Sequence, residues 1–130
     1  MKVRLSKGYK NDAGYDVILN KDIVLKPGLN VVDLEISIRV NEGEFAYLCS
    51  RTSSAKEGIF IHQCPIDADY TGNVHAIIQN MSGEYKLYNE GTSFCQIVYC
   101  KMGNCNEEYI IKKQGKRTDG AFGSTDKKEK

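Results

Sequence analysis

Apolar and polar residues alternate through Glu35-Ile36-Ser37-Ile38-Arg39-Val40, a period of two that turns one side of an extended chain toward a core and the other toward water. β-Branched and aromatic runs recur at Tyr15 to Leu19, Phe45 to Cys49, Ile59 to His62, Val74 to Ile78 and Phe94 to Tyr99, and each predicts a strand. Lys26-Pro27-Gly28, Asn41-Glu42-Gly43, Met81-Ser82-Gly83 and Asn89-Glu90-Gly91 place Gly or Pro where the chain must reverse, which predicts a succession of hairpins. No segment keeps the helical period for three turns, although Ser53 to Glu57 predicts one short helical turn. The pattern is that of an all-β domain, a sandwich or jelly roll, over residues 1–109. Residues 110–130 then predict a strand at Ile110 to Gln114 and a glycine-bearing arm, long enough to reach a neighbouring subunit as easily as its own.

A chain of 130 residues is the size of one domain and can bury roughly two-thirds of its unfolded surface. The net charge of +1, with both signs mixed, gives no broad basic field to hold nucleic acid. The first residues lack the apolar core of a signal peptide, and no apolar run approaches the ~18 residues of a membrane span, so a cytoplasmic protein is expected. Five cysteines are an odd number, and most lie in strand-like runs where free thiols pack as small hydrophobes, as in a reducing compartment. Cys95, Cys100 and Cys105 are evenly spaced, but no Cys-x-x-Cys pair occurs and their odd spacing alternates faces, which argues against zinc. His62 and His75 have no cysteine or acidic partner at ligand spacing and read as structural histidines.

Four short segments carry candidate chemistry. Arg117 to Thr125 combines a guanidinium fork, two glycines, Phe122 and the Ser124 and Thr125 hydroxyls, a composition suited to gripping phosphate and lying over a planar base. Ile66-Asp67-Ala68-Asp69-Tyr70-Thr71-Gly72 lies between two strand-like runs, at the tip or flank of a hairpin. Its carboxylates can orient a water or bind a hydroxyl, and its tyrosine can stack under a sugar. Ser50-Arg51-Thr52-Ser53-Ser54 offers a cation and hydroxyls beside a helical turn, suited to phosphate. Asp12-Ala13-Gly14-Tyr15-Asp16 offers carboxylates for a hydrated Mg²⁺, an ion that keeps waters and accepts few protein ligands. Taken singly, these segments also read as a charged chain end, an acidic turn, a serine-rich helix cap and another turn.

In this order, together with Gly91 to Ile97, the segments resemble the five motifs of the homotrimeric dUTP pyrophosphatase (dUTPase) family: Asp12 to Val17, Ser50 to Ala55, Pro65 to Gly72, Gly91 to Ile97 and Arg117 to Thr125. Thr52 stands where the family usually has serine, and Thr118 and Ala121 replace two glycines of the last motif. The resemblance implies a β-jelly-roll trimer with shared active sites that hydrolyses dUTP to dUMP and pyrophosphate with Mg²⁺. Asp67 is then the base that activates water, and Asp16 meets the ion through its waters. Arg51, Thr52, Ser53 and Gln96 hold phosphate oxygens, with Arg117, Ser124 and Thr125 on the γ-phosphate, Phe122 over uracil and Gly123 also among the substrate-binding residues. Backbone groups of the third-motif hairpin, about Ile61 to His75 and including Pro65, Ile66 and His75, select uracil, and Tyr70 packs on deoxyribose. Where many members place an asparagine or glycine against uracil, ungapped matching places Ile61, with Gln63 as a candidate substitute. The related dCTP deaminases carry a proton-moving glutamate ten residues after the aspartate, a position held here by Ile77. A non-catalytic trimer whose closing arm contacts a regulatory protein is a second reading of the same motifs.

Overall fold

The computed structural model describes residues 5–113 and residue 115. Ten strands and one short helix follow in the order β1 Leu5–Ser6, β2 Gly14–Ile18, β3 Ile23–Leu25, β4 Gly28–Asp33, β5 Glu44–Ser50, α1 Thr52–Lys56, β6 Ile59–Ile61, β7 Ile66–Asp67, β8 His75–Asn80, β9 Lys86–Tyr88 and β10 Ser93–Lys101. They form a five-stranded sheet in the order β1-β2-β10-β5-β7, a three-stranded sheet β4-β8-β6 and a two-stranded sheet β3-β9, with every pairing antiparallel. This is an all-β architecture of the jelly-roll class, in which most strands pair with partners distant in sequence.

The inner faces meet in one apolar cluster. Val17, Ala46, Leu48, Cys95 and Ile97 of the large sheet pack with Ile59, Ile61, Ala76 and Ile78 of the three-stranded sheet and Ile23 and Leu25 of the small one. Along β8 and β6, buried and more exposed residues alternate as the period-two pattern requires. The residue buried among these that carries a polar side chain is Asn80, only 2% exposed. Its amide donates to the carbonyls of Leu25, Lys26 and Glu84, and its oxygen accepts from the backbone and hydroxyl of Ser82. The end of the three-stranded sheet is thereby tied to the start of the β3–β4 turn, where Gly28 has φ +96°.

Three expectations change. Glu35 to Val40 keeps its alternation, with Ile36 and Val40 buried, but it is not a strand, because Glu35 takes φ +57° and breaks the extended geometry. Among the described residues only β1 and β2 are sequence neighbours that pair, so the turns carry the chain between sheets instead of closing successive hairpins. Ile110 to Lys113 is exposed and lies outside any strand. The predicted helical turn is present one residue early as α1, and the five cysteines are free, with Cys64 and Cys105 exposed rather than packed.

Candidate active site

Asp16 and Gln96 are partners across the β2–β10 ladder, so their side chains project from the same face. That approach depends on Gly14, where a Cβ would lie 2.9 Å from Gln96 Oε1 and 3.1 Å from the Ile97 carbonyl. β5 ends beside them at Ser50, whose hydroxyl donates to Ile59 O and accepts from Ile61 N–H, fixing the point where the chain turns into α1. Arg51 follows, held by an Nη1 bond to Ser93 O at 2.9 Å, with its Nε 3.9 Å from Asp16 Oδ1. Both side chains of this loose pair keep about a third of their surface in water, at 39% and 30%. With Thr52 and Ser53 they line an open cavity of about 460 Å³, walled on the other side by residues 8–14. There Asp12 caps its own turn by accepting from Tyr9 N–H.

A second cluster forms at the opposite edge of the large sheet. β7 pairs with the beginning of β5, Asp67 opposite Phe45 and Ile66 opposite Ala46. The chain then turns, with Tyr70 N–H donating to Asp67 O and the Tyr70 hydroxyl donating to Asn73 O at 2.7 Å. His75 opens β8 and has an acidic neighbour brought in by the fold, Asp33 Oδ2 at 3.7 Å from Nε2. Pro65 and Asp67 are exposed, and Ile66 and Tyr70 are half-buried. Ile61 is 8% exposed and belongs to the core, so its side chain is unavailable to a ligand, while Gln63 is exposed.

The register fixes how these clusters relate. Asp16, Gln96 and Cys49 form one cross-strand row, and Cys100, Phe45 and Asp67 another, on the same face of the sheet. Three strand spacings and four residue steps separate Asp16 from Asp67, roughly 20 Å. Five predicted residues (Asp16, Arg51, Thr52, Ser53, Gln96) therefore share one cavity, while Asp67, Tyr70 and His75 gather elsewhere. Arg117, Phe122, Gly123, Ser124 and Thr125 lie outside the described residues. Sequence reasoning passed over Gly8 and Tyr9 at the cavity and Asp33 and Asn73 at the second cluster. Gly8 had a turn signal, whereas Asp33 and Asn73 are bonded across 40 residues and had none.

Among the described residues no group of three or more His, Cys, Asp or Glu could hold a metal ion, and no helix is long and apolar enough to cross a membrane. The cavity offers two carboxylates, Asp16 and the turn-capping Asp12, beside a cation and hydroxyls, a donor set that suits an ion retaining its waters and bound mainly by phosphate.

On this antiparallel jelly-roll sheet a cation, hydroxyls, an amide and two carboxylates converge on one open cavity, a set of groups with the chemistry to meet phosphate oxygens. The dUTPase family model matches residues 3–126, and the chain belongs to the dUTPase family. It is 32% identical over 126 residues to the deoxyuridine 5'-triphosphate nucleotidohydrolase of Candida glabrata, covering 94% of this chain and 88% of that protein. It is also 25% identical over 118 residues to the Pol polyprotein of caprine arthritis encephalitis virus, 89% of this chain. The chain spans about a tenth, 11%, of the length of that viral relative. The native dUTPase structure of equine infectious anemia virus superposes with a TM-score of 0.72 at 23% identity, over 88% of this chain and 97% of that one, and shares the fold.

Proposed function

We propose that the chain hydrolyses dUTP to dUMP and pyrophosphate, working as a homotrimer in which one copy's Asp67 cluster faces another copy's Arg51 cavity. The observation that carries this reading is the gathering of Asp16, Arg51, Thr52, Ser53 and Gln96 around one cavity, with Asp67 on the same sheet face but roughly 20 Å away. One chain alone cannot bring the base to a phosphate held at Arg51. Between the two clusters the sheet presents half-buried Phe45, Tyr47 and Val98, with the two rings stacked at 6.4 Å, an apolar strip that a second copy would cover.

Arg51 and the Thr52 and Ser53 hydroxyls hold phosphate oxygens by charge-assisted hydrogen bonds, and Gln96 adds an amide donor. Asp67 orients a water and takes its proton as that water attacks the α-phosphorus; the leaving group is pyrophosphate. Backbone groups of the third-motif hairpin, about Ile61 to His75, pair with uracil, and a site matched to uracil leaves its polar groups unpaired against cytosine. Tyr70, its hydroxyl anchored on Asn73 O, sets a flat ring where a 2'-hydroxyl would clash. Mg²⁺ bound to the triphosphate supplies charge neutralisation, and Asp16 would accept hydrogen bonds from the ion's waters. Arg117, Ser124 and Thr125 close on the γ-phosphate and Phe122 covers the base, so that residues 110–130 act as the arm. Cytoplasmic dUTP is the substrate expected of this reading.

Pyrophosphate release measured across the deoxynucleoside triphosphates tests it: a Mg²⁺-dependent signal from dUTP alone is expected, and equal release from dCTP or dTTP contradicts it. Asp67→Asn should keep dUTP binding while kcat falls at least ~10²-fold, the low end of general-base contributions.

A further inference from the structure

Asp33, at the end of β4, sits outside every segment that carries candidate chemistry, yet it is bonded to the loop that holds two of the proposed site residues. Both of its carboxylate oxygens accept from the Asn73 side-chain amide at 3.2 Å, and Oδ1 also accepts from Glu35 N–H at 2.8 Å. Asn73 in turn offers its carbonyl to the Tyr70 hydroxyl at 2.7 Å and faces His75 Nδ1 at 3.1 Å, while His75 Nε2 lies 3.7 Å from Asp33 Oδ2. The loop's later end is fixed independently, since Leu34 N–H donates to Val74 O and Val74 N–H to Ile36 O. Asp33 therefore adds a tie at residue 73, on the Tyr70 side of that fixed point.

We propose that Asp33 is a positioning residue for sugar and base selection: through Asn73 it holds the Tyr70 ring and the Asp67–Tyr70 turn in the orientation that the nucleoside meets. The inference rests on the dUTP reading for its functional consequence but not for its structural one. Burial raises the Asp33 carboxyl, but the Glu35 N–H, the Asn73 amide and the charges of His75 and Lys21 outweigh that and hold it below its ordinary value. At neutral pH it is a carboxylate, and its oxygens accept the ties from Asn73 and Glu35.

Two measurements on the full chain separate this role from general support of the fold. In Asp33→Ala, hydrogen exchange at the Tyr70 amide should quicken about tenfold, as expected for loss of a hydrogen bond to a charged group, while amides of β5 and β10 keep their rates. Asn73→Ala removes the donor instead of the acceptor and should reproduce the local loosening. Asp33→Asn, which keeps an oxygen for the Asn73 amide, should stay within about threefold of the parent chain. In the same Asp33→Ala protein the ratio of kcat/KM for dUTP over UTP should fall about tenfold as Tyr70 loosens. Unchanged exchange at Tyr70, or an equal acceleration in β5 and β10, overturns the proposal. An Asp33→Asn chain as loose as Asp33→Ala overturns it as well, as does an unchanged dUTP:UTP ratio in a chain that hydrolyses dUTP. A parent chain that releases no pyrophosphate from dUTP sinks the functional reading instead, and the exchange rates still decide the role of Asp33.

Discussion

Asn80 and Arg51 are both polar residues at strand ends, and their surroundings could hardly differ more. Asn80 is 2% exposed and uses both ends of its amide, with five bonds between 2.7 and 3.2 Å. Arg51 keeps 39% of its side chain in water, spends one nitrogen on Ser93 O, and leaves 3.9 Å between its Nε and Asp16. A buried polar group must be satisfied within the fold, because an orphaned donor or acceptor there costs about 1–3 kcal/mol. A half-exposed pair held apart is under no such demand, and a ligand can replace its water without first breaking a strong contact. Asn80 thus serves the fold, whereas Arg51 and Asp16 are left open to a ligand.

Substitutions at the two places should separate stability from activity. Asn80→Ala removes the amide that ties the carbonyls of Leu25, Lys26 and Glu84 together and should cost roughly 3 kcal/mol in urea unfolding, with kcat/KM of the folded protein within about twofold. Arg51→Ala should do the reverse, lowering kcat/KM for dUTP about 10²-fold while stability moves by about 1 kcal/mol or less. Equal losses of both quantities in either variant would erase the distinction. Gly14→Ala tests the cavity wall: a methyl 3.1 Å from the Ile97 carbonyl and against Gln96 Oε1 should displace that amide and cost about tenfold in kcat/KM. At Glu35, φ +57° is strained for a side-chain-bearing residue, so Glu35→Gly should gain up to about 1 kcal/mol, reduced by loss of the 2.9 Å Lys21 ion pair. The smallest effect concerns acid. Asp33's depressed carboxyl adds stability that is complete above its ordinary value of 3.8 and lost as pH falls below it, so the stability gap between parent and Asp33→Asn should close in acid.

Much of this molecule was legible in its sequence, for reasons that differ from place to place. Runs such as Phe45 to Cys49 and Phe94 to Tyr99 announced strands because their apolar faces repeat with the pleat, and both became central strands of the large sheet. Partner choice was not legible, since a turn signal says where the chain reverses and not which sheet receives the next strand; Lys26-Pro27-Gly28 joins strands of different sheets. At Glu35 a local conformation overrode a correct period, with Asp33 accepting the Glu35 N–H at the bend. The motif residues could be named from sequence because their chemistry is local, whereas the Asp33–Asn73 tie is made by tertiary folding alone. The acidic neighbour of His75 was hidden for the same reason, as it is 42 residues distant in sequence (75 minus 33).

Mixing two inactive proteins tests the shared site most directly. Asp67→Asn and Arg51→Ala chains, unfolded together in equal amounts and refolded, should regain about a quarter of parental dUTP hydrolysis, because a random trimer pairs an intact Asp67 with an intact Arg51 at one interface in four. If both residues acted within one chain, every chain in the mixture would carry a defect. Activity that stays at the level of the separate variants would contradict the account.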